Sequence, residues 1–202
     1  MRPIARMIND KRGSMTQALP LLTPRLLLRK LTPADLPQLA RYRSLPEVAR
    51  FQSWDHYTEH DAQTLYAQQC SLAFNSEGTW YQLAVERLDV GALIGDIGIH
   101  FFDEGRQVEL GMTFDVAYQK QGFAREAMGA LIAMLFNDFA KHRLTAVVDT
   151  RNTAAVNLLE KLGFRREAHY RQNIFFKGAW GDEYLYALLK SDYSQASAAS
   201  SA

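Results

Sequence analysis

Between Tyr118 and Leu135 the chain reads YQKQGFAREAMGALIAML: a polar run, Gln119-Lys120-Gln121, then Gly122 and Ala124 at the mouth of a long apolar helix. A helix start that needs only a cap uses Ser, Thr, Asp or Asn. Glycine there lets the backbone approach something closely, or take a torsion that other residues resist. The first N–H groups of a helix have no intrahelical acceptor, and the dipole is positive at that end. With Lys120 beside them, such groups make a seat for phosphate. No Gly-Lys-Ser/Thr ends the turn, so it is not a P-loop. It also lacks the Gly-x-Gly-x-x-Gly of a dinucleotide turn. Groups able to move protons stand just upstream. Alternation places Glu109, Gly111 and Thr113 on one face of a strand-like run, and Asp96, Gly98 and His100 on one face of its neighbour. If those faces coincide, Glu109, Asp96 and His100 converge, with a water to relay the proton.

The elements that must position these residues alternate in period. RLLLRKL (25–31) reads as a strand, and TPADLPQLARYR starts a helix with Thr32 as cap and Pro33 at its first position. TEHDAQTLYAQQCSLAF reads as a second helix with Leu65, Cys70 and Phe74 toward the core. WYQLAVER, ALIGDIGIHFF and VELGMTFDV follow as a meander of antiparallel strands, turned at Leu88–Gly91 and Asp103–Gln107. The long helix buries Ala124, Ala127, Met128, Leu131, Leu135 and Phe139 on one stripe. LTAVVDT is a strand, NTAAVNLLEKLG a short helix stopped by Gly163, and two more strands cover about 164–176 and 183–190. This order predicts an α/β (α+β) fold: a mixed, mostly antiparallel sheet of six to seven strands, flanked by about four helices. One parallel step crosses the long helix.

Composition narrows the classes. A chain of 202 residues suits one domain, expected over 20–193, with an arm at 1–19 and a disordered tail at 194–202. A net charge of +1 argues against a nucleic-acid binder built on a basic face. No apolar run is long enough to span a bilayer, and the N-terminal segment lacks the apolar middle of a secretory signal. The single cysteine, Cys70, reads as a small buried residue; it precludes an internal disulfide and fits the cytoplasm. His56-x-x-x-His60 has the spacing of a helical metal pair, but no third ligand is near, so no metal is expected. Whether the chain forms a homodimer is left open.

The spacing Gln119-x-x-Gly122-x-Ala124 resembles the (Arg/Gln)-x-x-Gly-x-(Gly/Ala) signature of the GNAT acetyltransferases. Asn152-x-x-Ala155-x-x-Leu158-x-x-Lys161-x-Gly163-Phe164 is similar to the family's second cofactor-binding helix. TPRLLLRKLTPADL and GAWGDEYLYALLKSDY resemble its Rim-type branch, named for acetylation of ribosomal-protein N-termini. The resemblance covers roughly 22–193. It implies the GNAT fold with its parallel step at the acetyl-CoA site. It also implies acetyl-CoA as co-substrate, the pyrophosphate lying on the amides of Gln119, Lys120, Gln121, Gly122, Phe123 and Ala124. The pantetheine arm would pair like an added strand with Met112, Thr113, Phe114 and Val116, and Asn152 would contact the arm.

The implied reaction moves acetyl directly to a primary amine, on a protein N-terminus or a small molecule. The amine must be neutral when it attacks. Deprotonating a lysine-like amine at pH 7 costs about 4.6 kcal/mol, an α-amine only about 1. Glu109 is the first choice for base, by its place in the resemblance. The Tyr that often follows Leu in the second helix, as acid for the leaving sulfur, is replaced by Leu159. A Ser common in the Rim-type branch is replaced by Ala155. Tyr170 and Tyr118 are the remaining candidates for the acid. On the acceptor side the resemblance points to Phe51, Trp54, Asp55 and Tyr57, with Asp96 and His100 from the sheet and Trp180 and Tyr184–Tyr186 from the closing hairpin. Arg165-Arg166 would attract the CoA 3′-phosphate. The missing Tyr and Ser favour one alternative, a non-catalytic acyl-CoA sensor or partner-binding module.

Overall fold

The computed structural model describes residues 19–199. Eight strands form one sheet in the order β1-β2-β3-β4-β5-β6-β8-β7. The strands are β1 (Leu21–Leu22), β2 (Leu26–Lys30), β3 (Trp80–Arg87), β4 (Ala92–Phe102), β5 (Gln107–Phe114), β6 (Arg143–Asp149), β7 (Arg165–Phe176) and β8 (Ala179–Leu189). The helices are α1 (Leu36–Arg43), α2 (Pro46–Ala49), α3 (Glu59–Gln69), α4 (Phe123–Asn137), α5 (Thr153–Lys161) and α6 (Lys190–Ala199). All neighbouring strands are antiparallel except β5 and β6, the expected parallel step across α4. The strand beyond the expected count is β1, a two-residue leucine pair that closes back on β2. Among the described residues, no helix is long and apolar enough to cross a membrane.

The sheet has one apolar face and one mixed face. Tyr81, Leu83, Val85, Ile97, Ile99, Val108, Leu110, Leu144, Ala146 and Leu188 point into the main core. There they meet the α4 stripe of Ala127, Met128, Leu131 and Leu135. Each such side chain contributes about 1.5–3 kcal/mol by leaving water, which fastens α4 across the parallel step. Opposite, α1 and α3 pack Leu39, Tyr42 and Ala62 near Ala84 and Leu93 in a second cluster. The chain turns into α1 through Thr32, whose N–H and hydroxyl both donate to Asp35, at 2.7 and 2.8 Å.

Three expectations from the sequence are corrected. The second helix stops at Gln69, five residues short of Phe74, so Cys70 is exposed rather than buried. Phe74 reaches the core from the following loop, edge-on to Tyr81 and Phe101. Residues 194–199, expected in a disordered tail, continue α6, consistent with their Ala-rich composition and its high helix propensity. The arm at 1–19 lies outside the described residues except for Leu19, as do 200–202.

Candidate active site

β5 and β6 are joined only over Gln107–Glu109 and Arg143–Thr145. Beyond Glu109 and Thr145 the two strands part. Leu110, Gly111 and Met112 then face Ala146, Val147, Val148 and Asp149 across a cleft of about 280 Å³. The backbone of β5 from Leu110 to Phe114 keeps its ladder with β4 but has no partner on the β6 side. An extended amide chain fits such an edge as an added strand. Asn152, Ala155 and Leu159 of α5 form one wall. Phe51, Gln52, Ser53, Ile174, Phe176 and Glu183 form the outer rim.

β5 runs on through the turn at 115–121 into the mouth of α4, where Gln121 and Phe123 line a second hollow with Arg25 and Arg87. Gly122 is its N-cap residue, at φ 83° in the left-handed region, and no side chain caps the helix. Lys120 is also left-handed, at φ 59°. The helix ladder begins with the Glu126 N–H donating to the Gly122 carbonyl at 3.0 Å. The amides of Phe123, Ala124 and Arg125 therefore precede it and are free for a ligand. Both glutamine side chains brace the turn: Gln119 Nε2 donates to the Phe114 carbonyl at 2.9 Å, and Gln121 Nε2 to that of Ala117 at 2.8 Å. Asp115, buried beneath, accepts from Ala117 N–H at 3.1 Å and pairs with Arg41. Phe123 is buried, so only its backbone is available. An anion would thus meet amides and Lys120, and the uncapped glycine fits pyrophosphate.

The catalytic and acceptor candidates separate. Glu109 and His100 are cross-strand partners on one face, as expected. Glu109 stands at the point where β5 and β6 part, half-buried, and has no hydrogen bond or ion pair among the described residues. A side chain at Gly111, next on that face, would meet nothing within 4 Å, so the space beside Glu109 is open. His100 is stacked between Trp80 and Phe102, with ring centroids at 5.2 and 5.6 Å.

Asp96 is corrected. It pairs with Thr113, four residues along β4 from His100, or roughly 13 Å at strand rise. It is 0% exposed. Arg43 Nη2 donates to it at 2.5 Å and Nε at 3.2 Å, and the Tyr42 hydroxyl and Gln82 amide also donate. Desolvation by burial and the Asp96 charge push the Tyr42 hydroxyl well above its ordinary pKa. With its lone pairs taken, Asp96 holds the fold and cannot hold an acceptor. Breaking such a buried pair costs about 3–5 kcal/mol.

Trp54 and Asp55 are corrected too. Trp54 Nε1 donates to the Arg43 carbonyl at 3.0 Å, and its ring covers the Arg43 guanidinium at 4.8 Å, so it packs over the Asp96 network rather than lining the cleft. Asp55 is paired at 2.9 Å with Lys177, from the β7–β8 turn. Lys177 Nζ also donates to the carbonyls of Ala49 at 2.7 Å and Trp54 at 2.9 Å, clipping the hairpin to the loop before α3. Tyr170 lies exposed on the edge strand β7 as register partner of Glu183 and is not itself part of the cleft lining. Arg165 faces Asp192 at 3.7 Å, and Arg166 lies over the Tyr184 ring.

Residues not singled out in the sequence complete the cleft. Asp149 and Glu183 are register partners on its wall. Asp149 is held by Arg151, whose hydrogen bonds keep its pKa below the ordinary carboxylate value. Glu183 accepts from Asn173 at 2.6 Å and has no cation partner among the described residues. Asn152 lines the cleft, though its Oδ1 is engaged, capping α5 at the Ala155 N–H, 3.2 Å away. Ala155 and Leu159, which stand where family members often carry Ser and Tyr, both face the cleft, so neither position supplies a hydroxyl. His56 and His60 are exposed, and no group of three or more metal-ligating side chains is found among the described residues.

The acetyltransferase (GNAT) domain model matches residues 25–165. An uncharacterized N-acetyltransferase of Bacillus subtilis (strain 168), YoaA, is 31% identical over 169 residues, 83% of this chain and 95% of that protein. The crystal structure of a GNAT-family acetyltransferase from Bacillus anthracis superposes with a TM-score of 0.76 at 27% identity, covering 85% of this chain and 98% of that one. A spermidine N-acetyltransferase from Vibrio cholerae, solved in complex with CoA and spermine, shares the fold. Its TM-score is 0.72 at 21% identity, covering 85% of this chain and 99% of that one.

Proposed function

Since the chain belongs to the GNAT family and is an acetyl-CoA-dependent N-acetyltransferase, we propose that its acceptor is a small primary amine entering under the β7–β8 hairpin. The observation that carries this is the rim of the cleft. The Lys177 clip draws the hairpin against the loop before α3, and Glu183 of the rim has no cation partner among the described residues. A cleft lined by a carboxylate that no cation neutralises suits an alkylammonium group. The spermidine enzyme of the same fold acts on such an amine.

In this reading the amides of Gln121–Ala124, with Lys120, hold the pyrophosphate. The β5 edge from Phe114 back to Glu109, a run of roughly 17 Å at strand rise, takes the pantetheine arm. Acetyl-CoA supplies the acyl group: the neutral amine attacks the thioester carbonyl, the C–S bond breaks, the sulfur leaves as thiolate, and the proton shed by the attacking nitrogen reaches it through solvent. Glu109 takes the ammonium proton beforehand, directly or through a water in the open space at Gly111. With Ala155 and Leu159 on the wall, α5 offers no acid. The enzyme works in the cytoplasm, where acetyl-CoA is available and Cys70 stays reduced.

A second reading, the N-terminus of a protein as in the Rim-type branch, draws on Phe175 and Trp180. They are 62% and 61% exposed on the hairpin beside the entrance. A protein acceptor would cover them. Thiol release from acetyl-CoA with diamines, polyamines, aminoglycosides and short peptides with free N-termini decides between the two. Turnover confined to small amines supports the first reading, and preference for peptides overturns it. With the preferred acceptor, Glu109→Gln should lower kcat about 10²–10⁴-fold while CoA still binds. Undiminished turnover would remove Glu109 from the mechanism.

A further inference from the structure

The first turn of α4 carries a carboxylate, Glu126, close to where an anion is to be held. A negative charge near a helix N-terminus suits the dipole, but it opposes a bound pyrophosphate. Arg25, at the end of the turn into β2, contacts both Glu126 and the turn before α4. Its backbone N–H donates to Glu126 Oε1 at 2.8 Å and its Nε to Oε2 at 2.6 Å, while the Thr23 hydroxyl donates to Oε1 at 2.7 Å. The other end of the guanidinium faces the turn. Nη1 donates to the Gln121 carbonyl at 3.2 Å, and Nη2 lies 3.4 Å from where a Gly122 Cβ would stand. The guanidinium also rests 4.3 Å above the Phe123 ring.

The contact to the Gln121 carbonyl has a directional consequence. In a trans peptide the C=O and the next N–H point opposite ways. With the Gln121 oxygen turned to Arg25, the Gly122 N–H is turned away from it, to the outer side of the turn. Burial raises the Glu126 pKa, but the bonds from Thr23 and Arg25 outweigh it and lower the pKa overall, so the carboxylate is charged at neutral pH.

We propose that Arg25 is a positioning residue for the co-substrate phosphates: it neutralises Glu126 and fixes the Gln121–Gly122 peptide with its N–H toward the ligand. The inference rests on the reading that the pyrophosphate sits at the mouth of α4. A plain ion pair tying β2 to α4 would have the same contacts but no selectivity for phosphate.

The test compares two donors, acetyl-CoA and S-acetylpantetheine, which lacks the pyrophosphate. In Arg25→Gln the ratio of kcat/KM for acetyl-CoA to that for S-acetylpantetheine should fall roughly tenfold. Adding Glu126→Gln to that variant should restore most of the ratio, since the charge that needed neutralising is gone. Arg25→Lys, which keeps the charge but loses the fork, should fall between, and it serves if Arg25→Gln folds poorly. An unchanged ratio in both Arg25 variants overturns the proposal, as does a double variant no better than the single. If the wild type itself does not distinguish the two donors, the phosphate seat fails, and Arg25's role with it.

Discussion

Two long helices of this protein begin in opposite ways. At α3, the Thr58 hydroxyl accepts from the Asp61 N–H at 3.2 Å, and Asp61 accepts from the Thr58 N–H at 2.7 Å, a capping box closed upon itself. At α4 the corresponding residue is Gly122, left-handed and without a side chain to offer. The first start answers its own orphan donors; the second leaves them for something else. What surrounds α4 agrees: its turn is braced from outside by Gln119, Gln121, Asp115 and Arg25, none of which caps the helix. The difference teaches what our proposal needs at α4: a helix start stripped of its cap, yet stiffened from behind, with its first amides open.

Giving α4 the kind of start that α3 has should break the contrast. Asp tolerates the left-handed region better than most residues, so Gly122→Asp should fold with a change of about 1–2 kcal/mol at most. Its carboxylate would stand beside Arg25 at the mouth of the helix, cap the free amides and repel a pyrophosphate there. CoA affinity, by calorimetric titration, should fall about 100-fold, or about 2.7 kcal/mol. Affinity within threefold of wild type would mean that the uncapped start is not the seat.

The converse change sharpens the comparison. Thr58→Ala removes the cap of α3 and should cost about 1 kcal/mol of stability by denaturant titration. CoA affinity should stay as it was. A loss of affinity matching that of Gly122→Asp would show that the two starts are not functionally distinct.

The smallest expected effect is in acid. The hydrogen bonds from the Thr58 hydroxyl and backbone N–H hold the Asp61 carboxyl below its ordinary value of 3.8. A depressed folded value means stability present above the unfolded pKa and lost as pH falls through the folded one. Hydrogen exchange in the first turn of α3 should therefore quicken below about pH 3.8 relative to its middle. Unchanged relative exchange would show that Asp61 does not hold the cap.

How far the sequence discloses this molecule follows from the range of each interaction. The meander, the parallel step, the uncapped Gly122 and the α4 stripe from Ala127 to Leu135 are local in period or spacing, and the structure has them where the sequence puts them, whereas Phe139 falls past the end of the helix at Asn137. The faces of β4 and β5 were legible as well, since alternation fixes the side on which Asp96, His100 and Glu109 stand. Alternation says nothing of depth or partners. Asp96 is consumed by Tyr42 and Arg43, more than fifty residues away, while Glu109 on the same face is left open. Asp55 is taken by Lys177 from a distant hairpin, and Arg25 reaches Glu126 across 101 positions. No periodicity carries such pairings. Glu183 likewise gave no signal, because its meaning comes from the β6–β8 register that sets it beside Asp149.

The central claim is that the free amides at the mouth of α4 receive the pyrophosphate of CoA. Amide resonances of Gln121–Arg125 in ¹⁵N-labelled protein, followed during titration with CoA and separately with pantetheine, test it most directly. The account predicts that CoA shifts these amides strongly, whereas pantetheine shifts only those along Leu110–Phe114. CoA binding that leaves 121–125 unmoved would contradict it.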